Sequence, residues 1–169
     1  LRTLVLGSSS GIGLALRVTA TFRDGAPTVG VSHGRPGTPM RLGTAGWYRA
    51  AAFEDLASVA GPNSATVLGA VFEDRTRART AEAVARILGR VDLLLYSIAA
   101  PRRRDPRTGR TYISAIRTVG EPFTARGHDV ASRRVHDTTM TAATPAEVAD
   151  TVKVMGGEDW QWYACWLDW

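Results

Sequence analysis

Six residues into the chain a short apolar run stops at Gly7-Ser8-Ser9-Ser10-Gly11-Ile12-Gly13, and an amphipathic stretch follows at once. Residues 3–6 are too few for a helix and read as a strand. Residues 11–22 carry Ile12, Leu14, Leu16, Val18 and Phe22 near helical spacing. A strand entering a helix through three glycines has few uses. Gly7 permits the tight turn, Gly11 lets backbone approach a ligand, and Gly13 lets the helix sit close to the strand. The N–H groups opening the helix then face whatever binds there. An anion suits them, and a dinucleotide pyrophosphate suits them best. The G-x-x-x-G-x-G spacing differs from the commoner G-x-G-x-x-G but places the same demands on the backbone, and the serine hydroxyls can add hydrogen bonds.

Residues 7–11 also satisfy G-x-S-x-G, the nucleophile elbow of hydrolases, with Ser9 as nucleophile and Asp129 and His136 as the later acid and base. Such an elbow normally follows several strands and an oxyanion loop, whereas only six residues precede this one.

The alternation continues beyond the turn. Residues 28–32 read as a second strand, 33–46 as a Gly/Pro-rich loop, 47–60 as a helix and 65–72 as a third strand. Residues 74–88 read as a helix with Asp74 as candidate cap, and 92–97 (DLLLYS) as a fourth strand apolar enough for burial on both faces. This order predicts an α/β fold: a Rossmann-type, doubly wound parallel sheet with helices on both faces and a ligand at the carboxyl ends of the strands. Residues 99–109 read as a basic loop and 111–135 as mixed. Thr144-Pro145-Ala146-Glu147 is a helix start with cap, proline and capping-box glutamate, ending at Gly156-Gly157. The tail holds Trp160, Trp162, Trp166 and Trp169, an unfinished aromatic helix or an interface. The 169 residues are expected to form a single domain.

Composition narrows the function. The net charge of +5 invites nucleic acid, but acids are interspersed with the bases and no nucleic-acid-binding motif is present, so no nucleic-acid partner is expected. No apolar run reaches the roughly 20 residues a membrane span needs. One cysteine, Cys165, and three histidines give no disulfide framework and no metal-ligand spacing, which favours a reducing cytoplasm and no metal.

Four segments occur in order: LVLGSSSGIGLA, GTAGWY at 43–48, VDLLLYSIAAPRR at 91–103, and TPAEVADTVKVMGGEDW at 144–160. Together they resemble the FabV-type enoyl-[acyl-carrier-protein] reductases, also known as trans-2-enoyl-CoA reductases, which are relatives of the short-chain dehydrogenase/reductases. The resemblance implies NADH-dependent reduction of the double bond of a trans-2-enoyl thioester, carried on coenzyme A or acyl carrier protein, in fatty acid biosynthesis. The cofactor contacts it implies are Gly7, Ser8, Ser9, Ser10, Gly11, Ile12 and Gly13 at the phosphates, with Ile98 and Ala99 after the fourth strand.

Two contacts depart from the family. Where the family commonly reads FFE-[KR]-P-G, this chain reads Ser32-His33-Gly34-Arg35-Pro36-Gly37, so the ribose-binding acid is Gly34. The adenine-contacting aspartate is replaced by Ala70, beside Val71. Without a carboxylate to repel a 2′-phosphate, and with His33 and Arg35 adjacent, NADPH becomes acceptable beside NADH. Arg102, Arg103 and Arg104 are placed to meet phosphates of coenzyme A or an acidic carrier.

The family's Tyr-x8-Lys pair, expected to stabilise the enolate, is missing. Lys153 is the only lysine, with Thr144 nine residues before it. No catalytic residue is therefore assigned; Tyr96 and Tyr112 read as structural. The resemblance implies a cofactor-binding portion of a longer enzyme, truncated at both ends. The alternative is a non-catalytic dinucleotide-binding module.

Overall fold

A computed structural model describes residues 1–61, 63–156 and 159–165. Thr3–Leu6 (β1), Thr28–Ser32 (β2), Ser64–Leu68 (β3) and Leu93–Tyr96 (β4) form one parallel sheet in the order β3-β2-β1-β4. The chain moves outward from β1 to β3, then crosses back to pair β4 with the other side of β1. The strand order therefore reverses at β1, and a crevice opens between the β1 and β4 loops.

The period of two along each strand sends alternate residues to two different layers. Leu4, Leu6, Val29, Val31 and Val67 join one buried cluster with Ala83, Val84 and Leu88. The last three come from Asp74–Ala83 (α3 in chain order) and its π-type continuation Val84–Leu88. On the opposite face, Thr28 and Thr66 receive hydrogen bonds from Arg17 of Gly11–Val18 (α1). Arg17 in turn lies over Phe53 of Ala45–Ala60 (α2), 3.9 Å from its ring centre. Helices cover both faces, as the strand–helix alternation predicts. Burying each branched residue of the cluster contributes about 1.5–3 kcal/mol.

Local chemistry sets the element ends. α2 starts at Ala45 rather than 47 because the Thr44 side chain accepts from Trp47 N. β3 ends at Leu68, short of 72, because residues 69–73 turn, with Glu73 N donating to the Ala70 carbonyl. The residue capping α3 is Glu73, whose backbone is extended; Asp74 lies inside the first turn and pairs with Arg77 instead. β4 is half-buried rather than buried on both faces, since only β1 pairs with it in this sheet.

The basic loop and mixed stretch contain two hairpins: Arg102–Arg104 (β5) with Thr111–Ile113 (β6), and Phe123–Asp129 (β7) with Arg134–Met140 (β8). Pro145–Met155 (α4) begins with a complete capping box and ends on Gly156 in the left-handed conformation. Trp160–Ala164 (α5) leaves Trp160 and Trp162 substantially exposed; Trp166 and Trp169 lie outside the described residues. Among the described residues no helix is long and apolar enough to cross a membrane.

Candidate functional site

The loops leaving all four parallel strands border one cavity of about 730 Å³ at the crevice, a size suited to a small-molecule ligand. Gly7, Ser9 and Ser10 come from the β1 loop, His33 from β2, Ala70 and Val71 from β3, and Ile98 and Ala99 from β4. Eight of the fourteen residues expected to contact the cofactor thus meet around one space, although up to 92 positions separate them.

The glycine-rich turn is built by close approach. Gly7 N and Ser8 N both donate to the Val31 carbonyl, at 2.9 and 3.0 Å, which ties the turn to the end of β2. Gly7 has a φ of +88°, and a β-carbon there would overlap the Ser97 carbonyl. One at Gly13 would overlap the carbonyl of Gly7. Gly11 opens α1 beside empty space. The Ser10 side chain leaves the first N–H groups of α1 uncapped, so they remain available to an anion.

Other singled-out residues lie elsewhere. Ser8 is buried with its hydroxyl unpartnered, so its side chain is not offered to a phosphate. Ile12 is 72% exposed, outside the cavity lining. Gly34 packs on the first turn of α2, where a β-carbon would stand 3.1 Å from Trp47 Cα. Arg35 is exposed; its backbone is pinned by Thr44, which accepts from Arg35 N and donates to its carbonyl, both at 3.0 Å. Of the three arginines, Arg103 is committed: it pairs with Asp159, donates to the Lys153 carbonyl at 2.9 Å and stacks on Phe72. Arg102 and Arg104 are exposed at the cavity wall.

The hydrolase alternative finds no support. Asp129 and His136 both belong to the β7–β8 hairpin, and Asp129 accepts from Ala131 and Ser132 within its own turn. Tyr96 donates to the Gly156 carbonyl at 3.4 Å, and burial pushes its phenol up to about 12. It is a neutral packing residue. Sequence reasoning missed Arg49, which donates to the Ser9 carbonyl at 3.1 Å and braces the turn from α2; nothing in its neighbours announces that contact.

The comparisons agree with this geometry. Residues 41–168 match the family model of the trans-2-enoyl-CoA reductase catalytic region, and residues 1–39 match that of the NAD(P)H binding domain of trans-2-enoyl-CoA reductase. The chain belongs to the trans-2-enoyl-CoA reductase family.

Within it, the chain is 47% identical over 167 residues to the enoyl-[acyl-carrier-protein] reductase [NADH] of Pseudomonas paraeruginosa. It is 45% identical to the enzyme of that name from Burkholderia pseudomallei. Each alignment covers 99% of this chain and 41% of the relative. The chain therefore spans about two-fifths of the length of these curated reductases. Its fold superimposes on the Treponema denticola trans-2-enoyl-CoA reductase in complex with NAD, with TM-score 0.89 and 40% identity over 97% of this chain and 41% of that one. The Clostridium acetobutulicum enzyme in complex with NADH gives TM-score 0.88 and 35% identity over 99% and 44%.

Proposed function

We propose that residues 1–169 form a single domain that binds NADH for the reduction of trans-2-enoyl thioesters. The observation that carries this reading is the cavity at the reversal of strand order, lined by Gly7, Ser9 and Ser10 immediately before an uncapped helix N-terminus. It occurs in a chain whose relatives are named as NADH-dependent enoyl reductases. The residues fit the cofactor: Gly7 and Gly13 let the turn close on the β4 loop and on the start of α1, and Gly11, beside open space, leaves the uncapped helix N-terminus accessible to a pyrophosphate.

The N–H groups of Gly11, Ile12 and Gly13 hold the phosphates, with Ser9 and Ser10 at the cavity edge and Ser8 anchoring the turn through its N–H to Val31. His33, Gly34 and Arg35 lie toward the adenosine ribose, Ala70 and Val71 flank the adenine, and Ile98 and Ala99 run along the nicotinamide half. When bound, the cofactor supplies hydride to the β-carbon of the enoyl thioester. This chain's part is to bind and orient it. No residue is assigned to stabilise the enolate or deliver the proton. Arg102 and Arg104 give the wall a positive charge suited to the phosphates of an enoyl-CoA or to an acidic carrier protein. Reversing both charges should weaken coenzyme A binding several-fold at low salt and little at high salt; no change at low salt would remove them from the site. Cytoplasmic fatty acid biosynthesis is the setting proposed for this chemistry.

Fluorescence titration of the chain with NADH and NADPH tests the reading. Saturable NADH binding is expected, with NADPH within about ten-fold of it because no carboxylate stands at Gly34. A preference for NADH above roughly a hundred-fold would show that another group excludes the 2′-phosphate. No binding of either would leave a fold without the ligand. Binding without turnover, both here and in longer relatives sharing these substitutions, would instead favour the non-catalytic module.

A further inference from the structure

Beneath the cavity, three residues distant in sequence meet out of solvent. Asp159 precedes α5 and is only 6% exposed, Arg77 on α3 is 7% exposed, and Arg103 lies on β5. The Asp159 carboxylate pairs with Arg77 through one oxygen and with Arg103 through the other. Both arginines keep a buried Nε without a partner. Arg77 and Arg103 therefore share this buried carboxylate, with Asp74 as a second, exposed partner of Arg77 at 3.3 Å; losing Asp159 removes the negative group that stands between the two guanidinium groups in a medium that screens poorly.

The two arginines serve two different walls of the cavity, Arg103 as part of one and Arg77 from behind the other. Arg77 opens the helix that leaves the β3 loop, and its N–H donates to Glu73, a lining residue, at 3.0 Å. Arg103 belongs to the segment 97–104 that leaves β4 and lines the cavity throughout. Arg103 also stacks on Phe72 of the first wall, 4.5 Å from its ring centre. The segment carrying Asp159 grips the same walls twice more. Tyr163 donates to the Val71 carbonyl at 2.7 Å, and Tyr96 donates to the Gly156 carbonyl.

We infer that Asp159 is a positioning residue for the dinucleotide: by bridging Arg77 and Arg103 it fixes the spacing of the adenine-side and nicotinamide-side loops. It touches neither the cavity nor the ligand and acts through the two guanidinium groups. This rests on the dinucleotide-binding reading above. Arg77 is the informative partner, because it does not line the cavity and cannot lose a direct ligand contact.

The test compares Asp159→Asn, Arg77→Met and the double variant with the unaltered chain. NADH dissociation constants are read by fluorescence well below each variant's Tm and corrected for the folded fraction. Each single variant is expected to weaken NADH binding about ten-fold, since loops released by a fraction of an ångström lose complementarity. The double variant should be no worse than Asp159→Asn alone, because both break the same bridge. Arg77→Lys, which keeps the charge without the fork, serves if Asp159→Asn does not fold, and a loss of several-fold is expected of it. Lowered Tm with unchanged NADH affinity in the folded fraction would overturn the inference, leaving the triad as packing only. Fully additive losses would overturn it as well. Failure of the unaltered chain to bind NADH would overturn the dinucleotide-binding reading itself, and this inference with it.

Discussion

Gly13→Ala is expected to raise the NADH dissociation constant by about a hundred-fold, the loss expected when reacting or binding groups move by roughly an ångström. Intrinsic helix propensity alone argues the other way, since alanine is favoured over glycine inside a helix by about 1 kcal/mol. The contact decides the sign. A β-carbon at Gly13 meets the backbone carbonyl of Gly7, not the end of a flexible side chain. Gly7 cannot retreat, because its own α-carbon face is filled by the Ser97 carbonyl and its N–H is bonded to Val31. The strain is relieved only if α1 slides away from the turn, and that takes the helix N-terminus away from the phosphates. Gly25→Ala is the matched control: its φ is +62° and its surroundings are open, and it is remote from the cavity. It should cost about 1 kcal/mol of stability and leave the NADH affinity where it was. Should Gly13→Ala bind NADH as the unaltered chain does, the glycine turn is not the phosphate cradle.

What could be read in the sequence was whatever depends on neighbours along the chain. The β1–turn–α1 unit is legible because its glycines, apolar run and helical period lie within residues 3–22. The start of α4 is legible because a capping box is a four-residue pattern. Long-range pairing hides the rest. The Arg102–Arg104 strand has no alternation to betray it; its partner Thr111–Ile113 makes it a strand. Arg103 looks like its two neighbours until Asp159 is placed beside it. Asp159 itself stands 82 positions from Arg77, with no local signal joining them. The leucines of β4 overstate its burial, since hydrophobicity records what a strand tolerates and not how many neighbours cover it. Gly34 is the subtlest case. The family resemblance expects an acid there at the ribose end, and in the fold Gly34 is the surface on which Trp47 rests. A glutamate restored there would press its β-carbon on the first turn of α2, which would have to give by a few tenths of an ångström.

Arg17→Met is expected to destabilise the chain by about 3 kcal/mol, a lowering of Tm by roughly 6–12 °C for a domain of this size. The sequence presents Arg17 as one charge in an otherwise apolar helix, yet it is 1% exposed. Its guanidinium reaches across β2 and β3, donating to Thr28 at 3.2 Å, Thr66 at 2.7 Å and the Ala65 carbonyl at 2.9 Å, and pairing with Glu54 at 3.1 Å. Burial pulls it down to about 10, against the opposing pull of Glu54, so it is charged at neutral pH. Gly30 makes the reach possible, since a β-carbon there would overlap the Arg17 fork. Methionine fills part of the volume but removes the donor shared by two hydroxyls and a carbonyl, leaving Thr28 its contact with Thr21 and Thr66 its bond to Glu54. Each lost hydrogen bond forfeits about 1 kcal/mol, and Glu54, with its side chain 35% exposed, recovers part of its loss from water. Arg17→Lys should fall between the two, because an ammonium keeps the charge but cannot serve four partners in a plane. Chemical denaturation measures all three. If Arg17→Met unfolds within 1 kcal/mol of the unaltered chain, the network fixes the register of α1 on the sheet without stabilising it. The glycine-rich turn would then owe its position to its own backbone contacts with β2 and β4.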